Sequence, residues 1–265
     1  MAVITVLDKN VSELIAAGEV IERPSSVIKE LVENSIDAGA TQIDITIVDG
    51  GLKRIQVSDN GIGIEKDDIR SAFLPHATSK LERIRDLETL STLGFRGEAL
   101  ASISSVSEVT LISKTAKDEM ASYIYLVGGK VVDERVDARA NGTSITVENL
   151  FFNTPARMKF LKKDVSEANA VSAVVDRIAL SHPEVSIRFI RDGKQAMLTN
   201  GNGDLLSTVY SVLGKEVSDS LISVDYEIDN VRVSGYISRP VSCRATRGMQ
   251  FCFLNSRFIK SFFVN

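Results

Sequence analysis

The sequence predicts an α+β fold in which helices pack against a layer of strands joined by hairpins. Residues 43–47 alternate isoleucine with polar side chains, which is typical of a strand with one buried face. Asp49-Gly50-Gly51 predicts a turn into a second strand over 53–58. Because helices stand beside such hairpins and do not alternate regularly with single strands, the pattern disfavours a doubly wound parallel sheet.

The remaining elements follow from periodicity and from helix start and stop signals. A first helix is predicted over 10–17, ended by Gly18, and a second runs from Pro24 to about Gly39. A polar helical stretch leads to residue 76, and a loop at 93–97 leads into a helix from Glu98. Strands are predicted at 107–113, 122–126, 143–147, 186–190 and 195–198, with a helix over 166–181.

A boundary between two domains is predicted at 200–203, where Asn-Gly-Asn-Gly offers turn residues and nothing to bury. This divides the chain into a domain over 1–200 and a second one over 204–265. The second is shorter than the ~70–80 residues at which a single core becomes stable on its own. We therefore expect it to be incomplete.

Composition excludes several classes of protein. The chain has 265 residues, a net charge of −4, two cysteines and two histidines. These numbers disfavour a disulfide framework and a zinc cluster, and no apolar run reaches the ~18–20 residues of a membrane span. We expect a cytoplasmic protein in which any DNA contact comes from a local basic patch.

The helix after Pro24 carries a polar stripe. At about 100° per residue, Glu30, Asn34 and Asp37 share one side, and the apolar residues that must face the core lie opposite. One interpretation is an ordinary solvated face. The other is a Mg²⁺ site, because an amide oxygen ligates a hard cation while a nearby carboxylate accepts a proton from water.

Two glycine-containing segments add to this hypothesis. Asp59 stands at the end of a predicted strand just before Gly61 and Gly63, so its carboxylate can accept from an exocyclic amine while the glycines admit a flat ring. The run 94–97 (GFRG) enters a helix and is typical of an anion site, although a plain loop junction has the same pattern. No Gly-x-x-x-x-Gly-Lys-Ser/Thr or Gly-x-Gly-x-x-Gly motif occurs.

These segments resemble those of a known family. Residues 30–39 (ELVENSIDAG), 59–63 (DNGIG) and 94–97 match, in order and spacing, the nucleotide-binding motifs of the GHKL ATPases. Residues 15–24 (IAAGEVIERP), 76–80 (HATSK), 94–103 and 153–157 (NTPAR) narrow the resemblance to the MutL family of mismatch-repair proteins.

The resemblance implies a Bergerat-type sandwich, with a mixed sheet and helices on one face, followed by a second domain like ribosomal protein S5. By similarity, Glu30 is the general base, Asn34 ligates Mg²⁺, and Asp59 binds the adenine amine of ATP with support from Thr143. The remaining nucleotide contacts implied are Asp37, Gly61 and Gly63, the lid residues Thr78, Ser79 and Lys80, and the phosphate-binding residues Leu93, Gly94, Phe95, Arg96 and Gly97. His76 is either a further lid residue or a structural histidine.

The resemblance also implies partners. They are a second copy in an ATP-dependent homodimer reached by the segment before Gly18, DNA bound without sequence specificity, a MutS-like mismatch-recognition protein, and a downstream nuclease or helicase. A bacterial, nucleoid-associated location during repair is implied as well. In this family a lysine later in the second domain reaches the terminal phosphate, and no residue here is assigned that role, so we expect slow hydrolysis by this length of chain.

Two alternatives stay open at this point. Hydrolysis could be incidental to a nucleotide-gated DNA clamp, or the chain could belong to another GHKL protein such as a type II topoisomerase subunit. For DNA contact, Arg157, Lys159, Lys162 and Lys163 form a basic run, and helical spacing brings Lys159, Lys162 and Lys163 towards one face. Further candidates in the second domain are Arg244, Arg247, Arg257 and Lys260, and a solvated face is the competing interpretation for both groups.

Overall fold

The computed structural model describes residues 20–77, 97–229, 231–243 and 246–260. An eight-stranded mixed sheet dominates these ranges, with the strand order β5-β4-β3-β6-β2-β1-β7-β8. Its strands are β1 (Gln42–Val48), β2 (Arg54–Asp59), β3 (Glu108–Lys114), β4 (Ala121–Val127), β5 (Lys130–Asp137), β6 (Gly142–Glu148), β7 (Ser186–Arg191) and β8 (Lys194–Leu198). Only β1 and β7 pair in parallel. The sheet is therefore built mainly from hairpins, as predicted.

Helices cover the buried face of this sheet. They are α1 (Pro24–Asp37), α2 (Ala99–Ser105) and, after the one-turn helix α3 (Pro155–Met158), which contains no buried residue, α4 (Asp164–Ser181). α1 starts at its proline, which needs no amide hydrogen there, and the chain leaves it through Gly39 in the left-handed region at φ 70°. The apolar side of α1 packs against α4 and β2. This packing leaves the polar stripe of α1 on the opposite side, and Ser35 of α1 reaches the end of β2.

The core follows the alternation predicted for β1. Ile43, Ile45 and Ile47 are fully buried, and Leu31 of α1 is buried against them in one continuous apolar cluster. Burying a side chain of this size stabilises the fold by about 1.5–3 kcal/mol. The cluster fixes the register of β1, because a one-residue slip would turn every isoleucine outwards.

One local expectation was wrong, and one strand was missed. The polar stretch before His76 forms two short 3-10 helices, Lys66–Asp68 and Ser71–Phe73, and no α-helix. Strand β5 was not predicted at all. The helix expected over 10–17 lies outside the described residues.

The segment after residue 203 forms smaller elements. They are α5 (Leu205–Leu213), α6 (Lys215–Asp219), the hairpin β9 (Leu221–Ile228) with β10 (Val231–Ser238), and the hairpin β11 (Cys252–Leu254) with β12 (Arg257–Ile259). The carboxylate of Asp204 caps α5 by accepting from the amides of Leu206 and Ser207. In the described ranges, no helix is long and apolar enough to cross a membrane.

Candidate functional site

Asp59, the last residue of β2, is the centre of a buried polar network. Its Oδ1 accepts hydrogen bonds from the amides of Gly61 at 2.9 Å and Thr143 at 3.1 Å. Its Oδ2 accepts from the hydroxyl of Ser35 at 2.8 Å. The three donors come from the loop over 60–64 (the glycine loop), from β6 and from α1. They therefore fix the carboxylate in one orientation and connect these three elements.

Glycines let the backbone close around Asp59. Gly63 has φ 78°, and a Cβ there would overlap the carbonyl of Lys114. Gly142 has φ 115°, and a Cβ there would overlap the carbonyl of Asp59. Both positions therefore require glycine for a close approach as well as for their backbone conformation.

Thr143 is held by a second hydroxyl that sequence reasoning missed. Ser113, on β3, has its Oγ 2.9 Å from Oγ1 of Thr143 and accepts from the amide of Ile64 at 2.8 Å. Its Oγ also lies 3.2 Å from the carbonyl of Gly142. Ser113 is buried and links the glycine loop to β6. A serine in a strand carries no local signal for this role.

Arg139 was also missed, although it braces the same loop. Its guanidinium donates to the carbonyl of Asp59 at 2.8 Å and to that of Ile112 at 3.3 Å. Burial lowers the pKa of Arg139, and the negative charge of Asp59 opposes that shift. This arginine therefore acts on the backbone beneath the carboxylate.

The helix that carries the polar stripe, α1, is joined to this network through Ser35. Glu30, Asn34 and Asp37 are half-buried, whereas Ser35 turns inwards and reaches Asp59. Burial raises the pKa of Glu33, the Lys29 ammonium lowers it, and the charges of Glu30 and Asp37 raise it further. The helix thus brings an acidic stripe and the Asp59 network into one region.

The donor set on α1 fits a hard cation held by few protein ligands. Among the described residues, no group of three or more His, Cys, Asp or Glu side chains could hold a metal. Asn34 supplies an amide oxygen with carboxylates beside it. Mg²⁺ is usually held by one or two side chains together with water and substrate phosphates, which matches such an open set.

One of the predicted lid and phosphate residues, Gly97, falls within the described ranges. Thr78, Ser79, Lys80, Leu93, Gly94, Phe95 and Arg96 lie outside the described residues, whereas Gly97 is described, with φ 62°. Nδ1 of His76 lies 3.1 Å from Oε1 of Glu98. The two ends that flank residues 78–96 therefore lie close together.

The helical face predicted for the basic run is wrong. α3 ends at Met158, and Lys163 is extended at the start of α4, so Lys159, Lys162 and Lys163 are exposed but share no helix. Arg157 is half-buried and donates to the carbonyl of Ile21 at 2.7 Å. This bond gives Arg157 a structural partner within the fold.

The candidates in the second part of the chain are spread over its hairpin region. Arg247, Arg257 and Lys260 are exposed, and Arg244 lies outside the described residues. A cavity of about 300 Å³ separates β12 from α1 and α4, and Arg177 stacks there with its guanidinium 4.4 Å from the centre of the Phe258 ring. Asp59 and its glycines do not line this cavity.

Family models match two parts of the chain. The model described as histidine kinase-, DNA gyrase B- and HSP90-like ATPase matches residues 21–135. The model described as the C-terminal domain of DNA mismatch repair proteins matches residues 209–265. The first match contains α1 and the Asp59 loop.

Curated relatives and solved structures agree with these matches. The DNA mismatch repair protein MutL of Clostridium acetobutylicum is 48% identical over 259 residues, or 97% of this chain and 42% of that protein. The MutL of Agathobacter rectalis is 44% identical over 97% of this chain and 40% of that protein. The chain thus spans about two-fifths of the length of these relatives.

The fold comparison covers nearly all of a solved domain. The structure of the Aquifex aeolicus MutL ATPase domain complexed with ADP is 30% identical, with a TM-score of 0.72, over 92% of this chain and 86% of that one. A crystal structure of the N-terminal domain of a DNA repair protein has a TM-score of 0.79 at 29% identity. These matches confirm the expected GHKL ATPase fold and favour the mismatch-repair family over a topoisomerase subunit. The chain belongs to the MutL family of DNA mismatch repair proteins.

Proposed function

We propose that this chain binds Mg-ATP between α1 and the Asp59 loop and hydrolyses it with Glu30 as the general base. The observation that carries the proposal is the bond from Ser35 to Asp59, because it ties α1, the helix that carries the polar stripe, to a buried and oriented carboxylate. The relative from Aquifex aeolicus, whose ATPase domain is complexed with ADP, supports a nucleotide as the ligand.

Asp59 recognises adenine in this proposal. Each carboxylate oxygen has two lone pairs, so the three observed donors leave capacity for one more. The exocyclic amine of adenine is a donor and suits that position. Guanine carries a carbonyl there, and two facing acceptors would leave both unpaired. The site therefore selects ATP over GTP, with Thr143 supporting the ring.

Glu30 and Asn34 act at the phosphate end. Asn34 would ligate Mg²⁺ with Asp37 nearby, and the ion, when bound, would neutralise the charge on the phosphates. Glu30 accepts the proton of the attacking water, for which a positioned carboxylate is suited. Residues Leu93 to Gly97 hold the phosphates through their backbone amides, and Thr78, Ser79 and Lys80 close over the nucleotide.

In the whole protein, nucleotide turnover operates a switch of mismatch repair. We propose a nucleotide-binding domain over 1–200 and a second domain over 204–265, which the family match at 209–265 supports. ATP drives dimerisation, and the dimer couples a MutS-like mismatch-recognition protein to a downstream nuclease or helicase. DNA is held without sequence specificity by exposed cations, with Lys159, Lys162 and Lys163 in one group and Arg257 and Lys260 in another.

The catalytic claim is tested by Glu30→Ala in the full-length protein that carries this chain. Loss of a positioned base is expected to slow single-turnover hydrolysis by roughly 10²–10⁴-fold, while equilibrium ATP binding stays near normal. Glu65→Ala is the control, because it removes an equally charged side chain whose partner Lys117 is exposed on the surface. Hydrolysis by Glu30→Ala at the control rate would refute the assignment.

Whether hydrolysis drives the switch or is incidental to a DNA clamp is a separate question. Steady-state rates with and without duplex DNA distinguish the two. A resetting enzyme gains turnover when DNA is present, whereas a clamp holds DNA in the nucleotide-bound state with little change in turnover. We expect DNA to raise the turnover.

A further inference from the structure

Lys29 lies between two carboxylates on the surface of α1. Its ammonium is 3.3 Å from Oε1 of Glu30 and 2.9 Å from Oε2 of Glu33. Glu33 follows Lys29 by one helical turn, and Glu30 is its immediate neighbour in the chain. The side-chain exposure is 50% for Lys29, 29% for Glu30 and 15% for Glu33. One half-exposed ammonium therefore pairs with both carboxylates.

Glu33 is the fixed end of this arrangement. It is the less exposed of the two carboxylates and makes the shorter contact. Within the described part of the chain, Glu33 accepts no hydrogen bond from another side chain. Glu33 therefore holds the ammonium near Glu30 through the shorter of the two contacts.

The contact restrains Glu30 without covering it. The hydrogen bond engages Oε1 alone, and no other hydrogen bond to Glu30 is found among the described residues. A glutamate side chain otherwise samples many rotamers, and a general base works only within reach of the proton that it abstracts. The Lys29 ammonium, held in place by Glu33, reduces the number of rotamers that Glu30 samples. It leaves Oε2 of Glu30 open to water.

From this geometry we infer that Lys29 is a positioning residue, whose ammonium, anchored by Glu33, holds the carboxylate of Glu30 in place for the hydrolysis of ATP. The inference rests on the proposed role of Glu30. The nucleotide contacts at Asp59 and Asn34 are made by other side chains, so loss of Lys29 lowers kcat and leaves ATP affinity unchanged. A pair that only stabilised the helix would change the melting temperature and not kcat.

The test compares three variants of the full-length protein in single-turnover and steady-state hydrolysis. Lys29→Met is expected to lower kcat by about ten-fold at unchanged KM, because small displacements of a catalytic group cost rate and not binding. Lys29→Arg keeps the charge and the reach and is expected to restore at least half of the rate. Lys117→Met is the matched control, since it breaks an exposed ion pair with Glu65 whose N–O distance of 2.9 Å equals that between Lys29 and Glu33.

A background lacking the base separates this inference from the proposed function. In Glu30→Ala, the further change Lys29→Met is expected to cost nothing more, because Lys29 acts through the missing carboxylate. Hydrolysis by Glu30→Ala at the wild-type rate would overturn the proposed function. If Glu30→Ala is slow while Lys29→Met keeps the wild-type kcat, matches the loss in Lys117→Met or resists rescue by arginine, the positioning role alone is overturned.

Discussion

Replacing Asp59 by asparagine tests the adenine site at little cost to the fold. Oδ1 accepts two backbone amides, so the oxygen of the new amide must take that place and its NH₂ group must face Ser35. The Ser35 hydroxyl lies 3.2 Å from the carbonyl of Leu31 and can turn to donate there while it accepts from the NH₂ group. We therefore expect Asp59→Asn to lower the free energy of unfolding by only about 1 kcal/mol.

The cost to nucleotide binding is larger. The amide presents a donor where the carboxylate presented an acceptor, so the adenine amine loses its partner in a buried position. An unpaired buried donor costs about 1–3 kcal/mol. That corresponds to a roughly 5–150-fold weaker affinity for ATP. The same change removes the acceptor that rejects the guanine carbonyl, so the preference for ATP over GTP shrinks.

Isothermal titration with a non-hydrolysable ATP analogue and its guanine counterpart measures both effects. Asp44→Asn is the matched control, since it makes the same chemical change at an exposed carboxylate paired with Arg188. Circular dichroism melting separates loss of binding from loss of fold. Affinity of folded Asp59→Asn within about two-fold of the control would refute the reasoning, as would equal binding of ATP and GTP by the unaltered protein.

Three further outcomes are expected. Gly63→Ala should lower the free energy of unfolding more than Gly193→Ala does, and it should also weaken ATP binding. Both glycines have φ 78°, but only a Cβ at Gly63 would overlap another group, the Lys114 carbonyl. Denaturant unfolding compares the two variants, and equal losses of stability would show that backbone strain alone matters. Asn34→Ala should lose the increase in ATP affinity that Mg²⁺ provides, measured as the difference between binding with Mg²⁺ and binding with EDTA. If the variant keeps the full increase, Asn34 is not a ligand of the metal. Burial raises the pKa of Asp176 from 3.8 to about 6, so the native state binds its proton more tightly and stability falls as pH rises through that window. Asp176→Asn should therefore stabilise the protein above pH 6 by about 1 kcal/mol, after allowance for solvent exposure, and should have little effect near pH 4. Thermal melting at both pH values measures this, and a gain in melting temperature that does not depend on pH would contradict it.

Local patterns account for the parts of the fold that could be predicted. α1 has a proline start, a glycine stop and one apolar side, and β1 has three alternating isoleucines, so each needs only its own residues to be recognised. β5 was missed because its residues, Lys130–Asp137, are largely charged and exposed at the edge of the sheet. Its backbone hydrogen bonds to β4 hold it as a strand, although its own sequence does not predict one.

The site divides in the same way. Asp59 could be predicted as a candidate because it precedes two glycines, whereas Arg139 reaches the Asp59 carbonyl from 80 residues away in the sequence. Ser113 comes from β3 and meets Thr143 only because β3 and β6 are paired. The helical face drawn through Lys159 failed because the helix begun at Pro155 ends after one turn. Long-range pairing and helix length were the two facts that local spacing could not provide.

The most direct test of the central claim is a crystal structure of the protein with Mg²⁺ and a non-hydrolysable ATP analogue. We expect the adenine amine within hydrogen-bond distance of the Asp59 carboxylate and the metal on the amide oxygen of Asn34. Glu30 should face the terminal phosphate across one water molecule. A nucleotide bound elsewhere, for example in the cavity lined by Arg177 and Phe258, with the Asp59 carboxylate making only its present three hydrogen bonds, would contradict the account.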